Sequence, residues 1–182
     1  MRTALFLPLL LPLFVVALPA SARVVSAEAN VFVVEQGATF SASPSAVFKT
    51  LTEDVQHWWS AEHTYFGKAH NLTIEPHAGG CFCERTDDGR QAEHLRVVFV
   101  DRHRGIKFTG GLGPLKDMGV SGTLSMTWAT TSTGKTKMTW RYRVTGPVEG
   151  DPQALAAAVD TVLGEQLARL VETVHKAKLP KR

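Results

Sequence analysis

Residues 137–144 read Lys-Met-Thr-Trp-Arg-Tyr-Arg-Val, an alternation in which every second side chain is apolar. In a strand, successive side chains point to opposite faces, so Met138, Trp140, Tyr142 and Val144 share one face and the basic residues share the other. This pattern predicts a strand of an antiparallel sheet that has one buried face and one wet face.

A long amphipathic helix follows this strand and opens at Asp151-Pro152. Its apolar side chains recur at helical spacing and form one stripe, interrupted only by Gln166. The stripe comprises Leu155, Val159, Val162, Leu163, Gln166, Leu167, Leu170 and Val174. We expect about 20 helical residues, roughly 30 Å, which is long enough to cover the apolar face of a sheet.

The preceding chain predicts further strands and two short helices. Val31 to Ala42 alternates as a strand, Ser43-Pro44 has the residues of a helix start, and a second short helix is expected around Asp54 to Trp59. Five more runs read as strands: Leu72–Glu75, Cys81–Arg85, Gln91–Val100, Ile106–Leu112 and Val120–Trp128. The prediction is an α+β fold in which a curved antiparallel sheet of about seven strands wraps on the long C-terminal helix.

Composition fits one domain, which we place at residues 30–177. The chain has 182 residues, 44% of them hydrophobic, and a formal net charge of +3. Its basic residues are dispersed, whereas a nucleic-acid surface needs them clustered on one face. We therefore predict no nucleic-acid partner, and the sequence leaves the oligomeric state open.

Residues 1–22 have the pattern of a secretory signal peptide: Arg2, an apolar run from Ala4 to Leu18, and an Ala-x-Ala ending at Ala22. A retained membrane anchor is the alternative, but the run is shorter than the roughly 20 apolar residues that a spanning helix needs. We expect cleavage after Ala22, with a second acceptable position after Ala27. The predicted product is an exported protein, periplasmic or secreted, without a membrane span.

Two cysteines, Cys81 and Cys83, stand one residue apart on a predicted strand. A bond between them would be strained, so we predict a pair of free, partly buried thiols, with intermolecular pairing or a redox role as alternatives. Neighbouring histidines such as His77 and His94 match no zinc-binding spacing, and His94 is expected on the face opposite the cysteines. We predict no metal site and no cofactor.

The order of elements resembles the helix-grip fold of the START-like SRPBCC superfamily over residues 30–175. Within it the chain looks most like the branch of polyketide cyclases/dehydrases and homologues of the activator of the Hsp90 ATPase. The residues that carry the resemblance are Phe40–Pro44 with Val47-Phe48, Trp58-Trp59, Glu75-Pro76, Gly79–Glu84 and Phe108-Thr109 after Asp101-Arg102. The resemblance implies a cavity between the sheet and the C-terminal helix that takes an apolar or amphipathic small molecule.

Aromatic and apolar residues on the inward faces are the candidate ligand contacts, although each of them would also serve as plain core packing. They are Trp59, Phe66, Phe82, Phe99, Phe108, Met126, Trp128, Trp140, Tyr142, Leu163, Gln166 and Leu167. Gln166 is the polar member, which either orients a ligand or bonds to a neighbouring strand. The expected ligand is a lipid, an isoprenoid or an aromatic molecule.

An enzyme would need an acid or base in the cavity, and the nearby carboxylates are Glu84, Glu93 and Asp101. Glu84 is the weak catalytic candidate. The glycine-rich segment 110–114 lacks the following helix of a phosphate site, so we expect it to form a flexible loop at the cavity mouth. The sequence therefore favours ligand binding without a reaction, with a cyclase/dehydratase-type enzyme and a protein-interaction module as alternatives.

Overall fold

The computed structural model describes residues 21–178, so most of the predicted signal peptide lies outside the described residues. Eight strands and three α-helices make up this part of the chain. The strands are β1 (Ser21–Glu28), β2 (Val31–Phe40), β3 (Leu72–Ile74), β4 (Cys81–Arg85), β5 (Gln91–Asp101), β6 (Gly105–Thr109), β7 (Ser121–Thr130) and β8 (Thr136–Thr145). The helices are α1 (Pro44–Glu53), α2 (Val55–Trp58) and α3 (Pro152–Lys178), and 3₁₀ helices span Ala61–His63, Ala69–Asn71 and Gly113–Lys116.

All eight strands form one antiparallel sheet in the order β1-β2-β8-β7-β6-β5-β4-β3. The pairing of β2 with β8 joins the two ends of the domain, and α3 packs against β1 and β2. The predicted α+β helix-grip architecture is confirmed. The sheet has one strand more than expected, because β1 was not predicted; a bulge between Val24 and Ser26 breaks its alternation.

The predicted helix starts are confirmed. The hydroxyl of Ser43 accepts the backbone N–H of Ala46 at 3.3 Å, and Pro44 is the first helical residue of α1. Asp151 accepts the backbone N–H of Gln153 at 2.9 Å at the start of α3. At 27 residues, α3 is longer than the expected 20.

β5 contains two bulges, and after each one the residues that would face inward by simple alternation face outward, and the reverse. The register shifts opposite Phe82-Cys83, which leaves His94 unpaired, and again between Val97 and Phe99. His94 is therefore buried, in agreement with its predicted face, whereas Phe99 is 44% exposed. The prediction that Phe99 faces inward is wrong, because simple alternation does not survive an inserted residue.

Cys81 and Cys83 form a disulfide, so the prediction of free thiols is wrong. Residues i and i+2 of a regular strand lie about 6.6 Å apart, at roughly 3.3 Å per residue. Here the Cα–Cα distance is 5.4 Å, which disulfides readily span. The contraction coincides with the bulge in the facing strand, between the partners of Phe82 and Cys83.

Candidate functional site

A cavity of about 450 Å³ lies between the first half of α3, the segment after α2 and the loop that follows β6. This volume is typical of sites for small molecules. Apolar residues form most of its wall: Trp59, Leu112, Pro114, Leu115, Leu155, Val159, Val162 and Leu163. Glu62, His63, Tyr65, His94 and Asp117 are its ionisable members.

The wall formed by α3 is apolar surface that the sheet does not cover. Leu155, Val159 and Val162 recur at helical spacing and are only half-buried, whereas Leu167 and Leu170 farther along the same stripe are fully buried in the core. The apolar stripe therefore faces the cavity in the first half of α3 and is buried in the hydrophobic core in the second half.

Glu84 does not line the cavity but is fully buried behind two lining residues, Tyr65 and His94, and accepts three hydrogen bonds. Its carboxylate oxygens accept the backbone N–H groups of Tyr65 at 2.7 Å and Phe66 at 2.9 Å. Nε2 of His94 lies 3.2 Å from Oε2 of Glu84. Both oxygens of Glu84 already accept backbone N–H groups, so we assign the donor role, and the ring proton, to Nε2 of His94. Glu84 thus anchors the Tyr65-Phe66 segment and fixes the tautomer of His94.

The His94 ring is held between aromatic rings and borders the cavity. It stacks on Phe82 with ring centroids 4.8 Å apart, and the Tyr65 ring lies 5.0 Å away. Burial lowers the pKa of His94 from its ordinary value, and the Glu84 carboxylate opposes this only in part. Nδ1 makes no hydrogen bond to the described residues. The neutral ring therefore presents an unshared electron pair as a hydrogen-bond acceptor.

Tyr142 holds the loop that forms the opposite wall. Its hydroxyl donates to the carbonyl of Gly110 at 2.7 Å and accepts the N–H of Leu112 at 3.0 Å, and burial raises the pKa of Tyr142 to about 12. A Cβ at position 122 would lie 2.5 Å from the Tyr142 ring, so only Gly122 permits this approach. The glycine-rich segment is thus tied to the sheet by a buried side chain.

Two side chains of α3 hold the segment that carries Trp59. Oε1 of the fully buried Gln166 accepts the backbone N–H of Ser60 at 2.7 Å, and Nε of Arg169 donates to the carbonyl of Trp58 at 2.9 Å. Nε2 of Gln166 has no partner among the described residues. The sequence left open whether Gln166 contacts a ligand or a neighbouring strand. In the structure its partner is instead a backbone group of the loop after α2.

The predicted contact residues fall into three environments. Trp59 and Leu163 line the cavity. Phe66 is half-buried beneath the guanidinium of Arg90, 4.8 Å from its ring centroid, and Phe99 is exposed. The other eight are buried in the interior: Phe82, Phe108, Met126, Trp128, Trp140, Tyr142, Gln166 and Leu167.

The other candidates lie away from the cavity. Glu93 pairs with Arg96 on the outer face of the sheet, and Asp101 accepts the N–H of His103 in a turn. His94 lines the cavity although it was not among the predicted ligand contacts. Within residues 21–178 no three His, Cys, Asp or Glu side chains are grouped to hold a metal ion, and no helix is long and apolar enough to cross a membrane.

Known structures share this fold at low sequence identity. A conserved protein of unknown function from Enterococcus faecalis superposes with a TM-score of 0.56 and 15% identity over 88% of this chain and 80% of its own. A protein of unknown function from Staphylococcus aureus superposes with a TM-score of 0.59 and 15% identity, over 81% of this chain and 95% of its own. A protein of the dynemicin biosynthetic locus superposes with a TM-score of 0.55 and 16% identity, over 80% of this chain and 48% of its own. These identities show similarity of fold alone.

A search of curated proteins finds no match. The family model described as polyketide cyclase / dehydrase and lipid transport matches residues 31–175, which run from β2 to the last turns of α3. This match spans most of the chain and confirms the resemblance to the START-like SRPBCC superfamily. The chain therefore belongs to the polyketide cyclase/dehydrase and lipid transport family.

Proposed function

We propose that this protein binds a small amphipathic molecule in the cavity beside α3. The apolar body of the ligand lies against Leu155, Val159 and Val162, and a ligand hydroxyl donates to Nδ1 of His94. The observation that carries the proposal is a 450 Å³ cavity with an apolar wall and a buried acceptor at one end. Ligand sites typically combine such a wall with a few polar groups that set orientation.

The charges around the cavity favour a neutral ligand over a fatty acid. Glu62 and Asp117 are among the lining residues, whereas the described lining contains neither lysine nor arginine. His63 lies 3.5 Å from Glu165 and so already faces an acid. Lys116 lies outside the lining and donates to the backbone carbonyl of Glu93. A ligand carboxylate would therefore meet the like charges of Glu62 and Asp117 without a lysine or arginine in the wall. Of the predicted ligand classes, a neutral isoprenoid or aromatic alcohol fits best.

A fluorescent apolar probe tests the proposal. N-phenyl-1-naphthylamine should bind the purified protein, and Val162→Phe, which fills the cavity, should weaken binding at least about 10-fold, or 1.4 kcal/mol. Val171→Phe is the matched control, because Val171 is another half-buried valine of α3 but is not part of the cavity wall. Equal probe affinity in both variants would contradict the proposed site.

A second titration tests the polar end of the ligand. A long-chain alcohol should displace the probe more readily than the acid of equal length at pH 7, and His94→Leu should weaken binding of the alcohol. An acid that competes as well as the alcohol would contradict the charge argument.

A second candidate function is proton transfer on the bound molecule. Glu84 is engaged by three donors, so the group that would reach a substrate is Nδ1 of His94, with Glu84 positioning the ring. Prolonged incubation of the protein with its extracted ligand discriminates the two candidates. Chemical change that His94→Gln abolishes supports an enzyme, and an unchanged ligand supports a binding protein.

We also propose that residues 1–22 are removed on export. Cleavage after Ala22 keeps Arg23–Glu28 of β1 in the mature chain, together with the ion pair of Arg23 with Glu35 at 3.3 Å. Cleavage after Ala27 would remove nearly all of β1, which favours the first position. N-terminal sequencing of the protein from the periplasm or medium should begin at Arg23; a start at Met1 or Glu28 would contradict this.

A further inference from the structure

The Cys81–Cys83 disulfide lies in a second concavity, on the outer face of the sheet. Phe82 and Glu84 of the same strand point toward the interior, so the cysteines point away from the ligand cavity. The outer groove has a volume of about 370 Å³ and is largely polar. Its wall includes Glu75, Cys81, Cys83, Arg85, Glu93 and Arg96.

The bond is poorly placed to stabilise the fold. Crosslinks stabilise mainly by restricting the unfolded chain, and the gain grows with the length of the closed loop. Here a single residue separates the cysteines, and β4 is already paired with β3 and β5 on its two sides. Opening the bond therefore leaves the strand and its ladders in place. The sequence holds just these two cysteines, so no other cysteine of the chain competes for either of them.

The surroundings of the two sulfurs differ in charge. Sγ of Cys81 lies 3.5 Å from Nη2 of Arg85 and 3.7 Å from Oε2 of Glu75. Across the β4–β5 pairing, Cys81 faces Arg96 and Cys83 faces Glu93. A cation beside a sulfur stabilises its thiolate, and a stabilised thiolate leaves a disulfide faster. Cys81 is thus the better leaving group, and Cys83 is the sulfur to be attacked.

We propose that Cys81 and Cys83 form a redox-active pair that exchanges with thiols outside the chain. A thiolate attacks Sγ of Cys83, a new S–S bond forms, and the electron pair of the old bond moves to Sγ of Cys81 as a thiolate beside Arg85. A second external thiolate then attacks the outer sulfur of the mixed disulfide and releases Cys83. Two external thiols are thereby oxidised to a disulfide, and the pair takes up two electrons. In reverse, the dithiol reduces an external disulfide.

The thiol comes from a small molecule such as glutathione or from cysteines of other proteins, and both use the same chemistry. Disulfides persist in oxidising compartments, where the proposed export would place this chain. The exchange does not require a bound ligand, because the groove and the cavity share no lining residue.

The test follows the pair in the purified oxidised protein by alkylation and mass spectrometry. Millimolar glutathione at neutral pH should open the bond while the far-ultraviolet circular dichroism stays unchanged. In a second arm, a reduced unfolded protein with two cysteines is offered instead. Oxidation of glutathione alone assigns a small thiol, and oxidation of the protein dithiol assigns a protein partner. A bond that stays closed toward both thiols until denaturant is added overturns the proposal.

Four variants separate an exchange site from an inert bond. Cys81→Ser treated with oxidised glutathione should form a mixed disulfide at Cys83, and the mirror variant Cys83→Ser should react faster at neutral pH, because Arg85 increases the thiolate fraction of Cys81. Arg85→Gln should slow opening of the wild-type bond and Glu75→Gln should accelerate it, each by roughly 2- to 5-fold for partly exposed charges. Unchanged rates in both charge variants, or slower reaction at Cys81 than at Cys83, overturn the assignment of roles.

Discussion

Replacing Glu84 by glutamine tests how the Tyr65-Phe66 segment is held beside the cavity. The carboxylate accepts hydrogen bonds from two backbone N–H groups and from Nε2 of His94, at 2.7, 2.9 and 3.2 Å. A glutamine has only one acceptor oxygen. Its N–H₂ group would face the N–H donors that the second carboxylate oxygen binds, and two donors cannot hydrogen-bond to each other. The variant therefore loses most of this set while keeping the size of the side chain.

The magnitude follows from the number and type of bonds lost. A hydrogen bond to a charged group contributes about 1.5–3 kcal/mol, and Glu84→Gln removes about two. Tyr65 is exposed and Phe66 half-buried, so water can recover part of the loss. We expect the free energy of unfolding to fall by about 3 kcal/mol, and the melting temperature by roughly 6–12 °C for a domain of this size.

Urea denaturation followed by tryptophan fluorescence measures this change. Glu93→Gln is the matched control, because Glu93 makes an ion pair with Arg96 on the outer face and should cost at most about 1 kcal/mol. A Glu84→Gln variant as stable as the control would refute the anchoring role of Glu84. Hydrogen exchange should also show faster opening at the N–H groups of Tyr65 and Phe66.

Three further predictions concern other parts of the fold. Tyr142→Phe should lower stability by about 1–3 kcal/mol and speed hydrogen exchange in residues 110–112; equal exchange would contradict the role of its hydroxyl. Because the folded pKa of His94 lies below the ordinary value of 6.5, the unfolded chain binds the proton first, so stability should fall as the pH drops below about 6.5. Melting temperatures measured between pH 5 and 8 should depend less on pH in His94→Gln than in the wild type. An unchanged pH dependence would contradict the role of His94. Phe108→Ala should cost about 3–5 kcal/mol, whereas Phe99→Ala should cost less than about 1; similar losses would contradict the bulge.

Periodicity predicted most of the sheet because most of its strands alternate without interruption. In β8 every inward residue follows the pattern of 137–144. The same reasoning failed in β1 and β5, where an inserted residue shifts the register. A bulge is set by pairing with a neighbouring strand, and one-dimensional alternation contains no such information.

Only part of the candidate site could be predicted from the sequence. Leu155, Val159 and Val162 belong to the predicted helical stripe, but the stripe does not reveal which half of α3 the sheet leaves uncovered. The sequence predicts Glu84 as an acid near the cavity, whereas its bonds to His94 and to the Tyr65-Phe66 backbone depend on how the chain folds back. Polar networks of this kind join residues distant in sequence, so composition and spacing predict them poorly.

Native mass spectrometry of the intact protein purified from its host, beside mass spectrometry of its organic extract, shows directly whether the cavity beside α3 holds a ligand. We predict one neutral molecule per chain, with a large apolar part and a hydroxyl, that is depleted in Val162→Phe and retained by Val171→Phe. A folded protein that is empty, or a ligand that both variants retain equally, would contradict binding in the cavity beside α3.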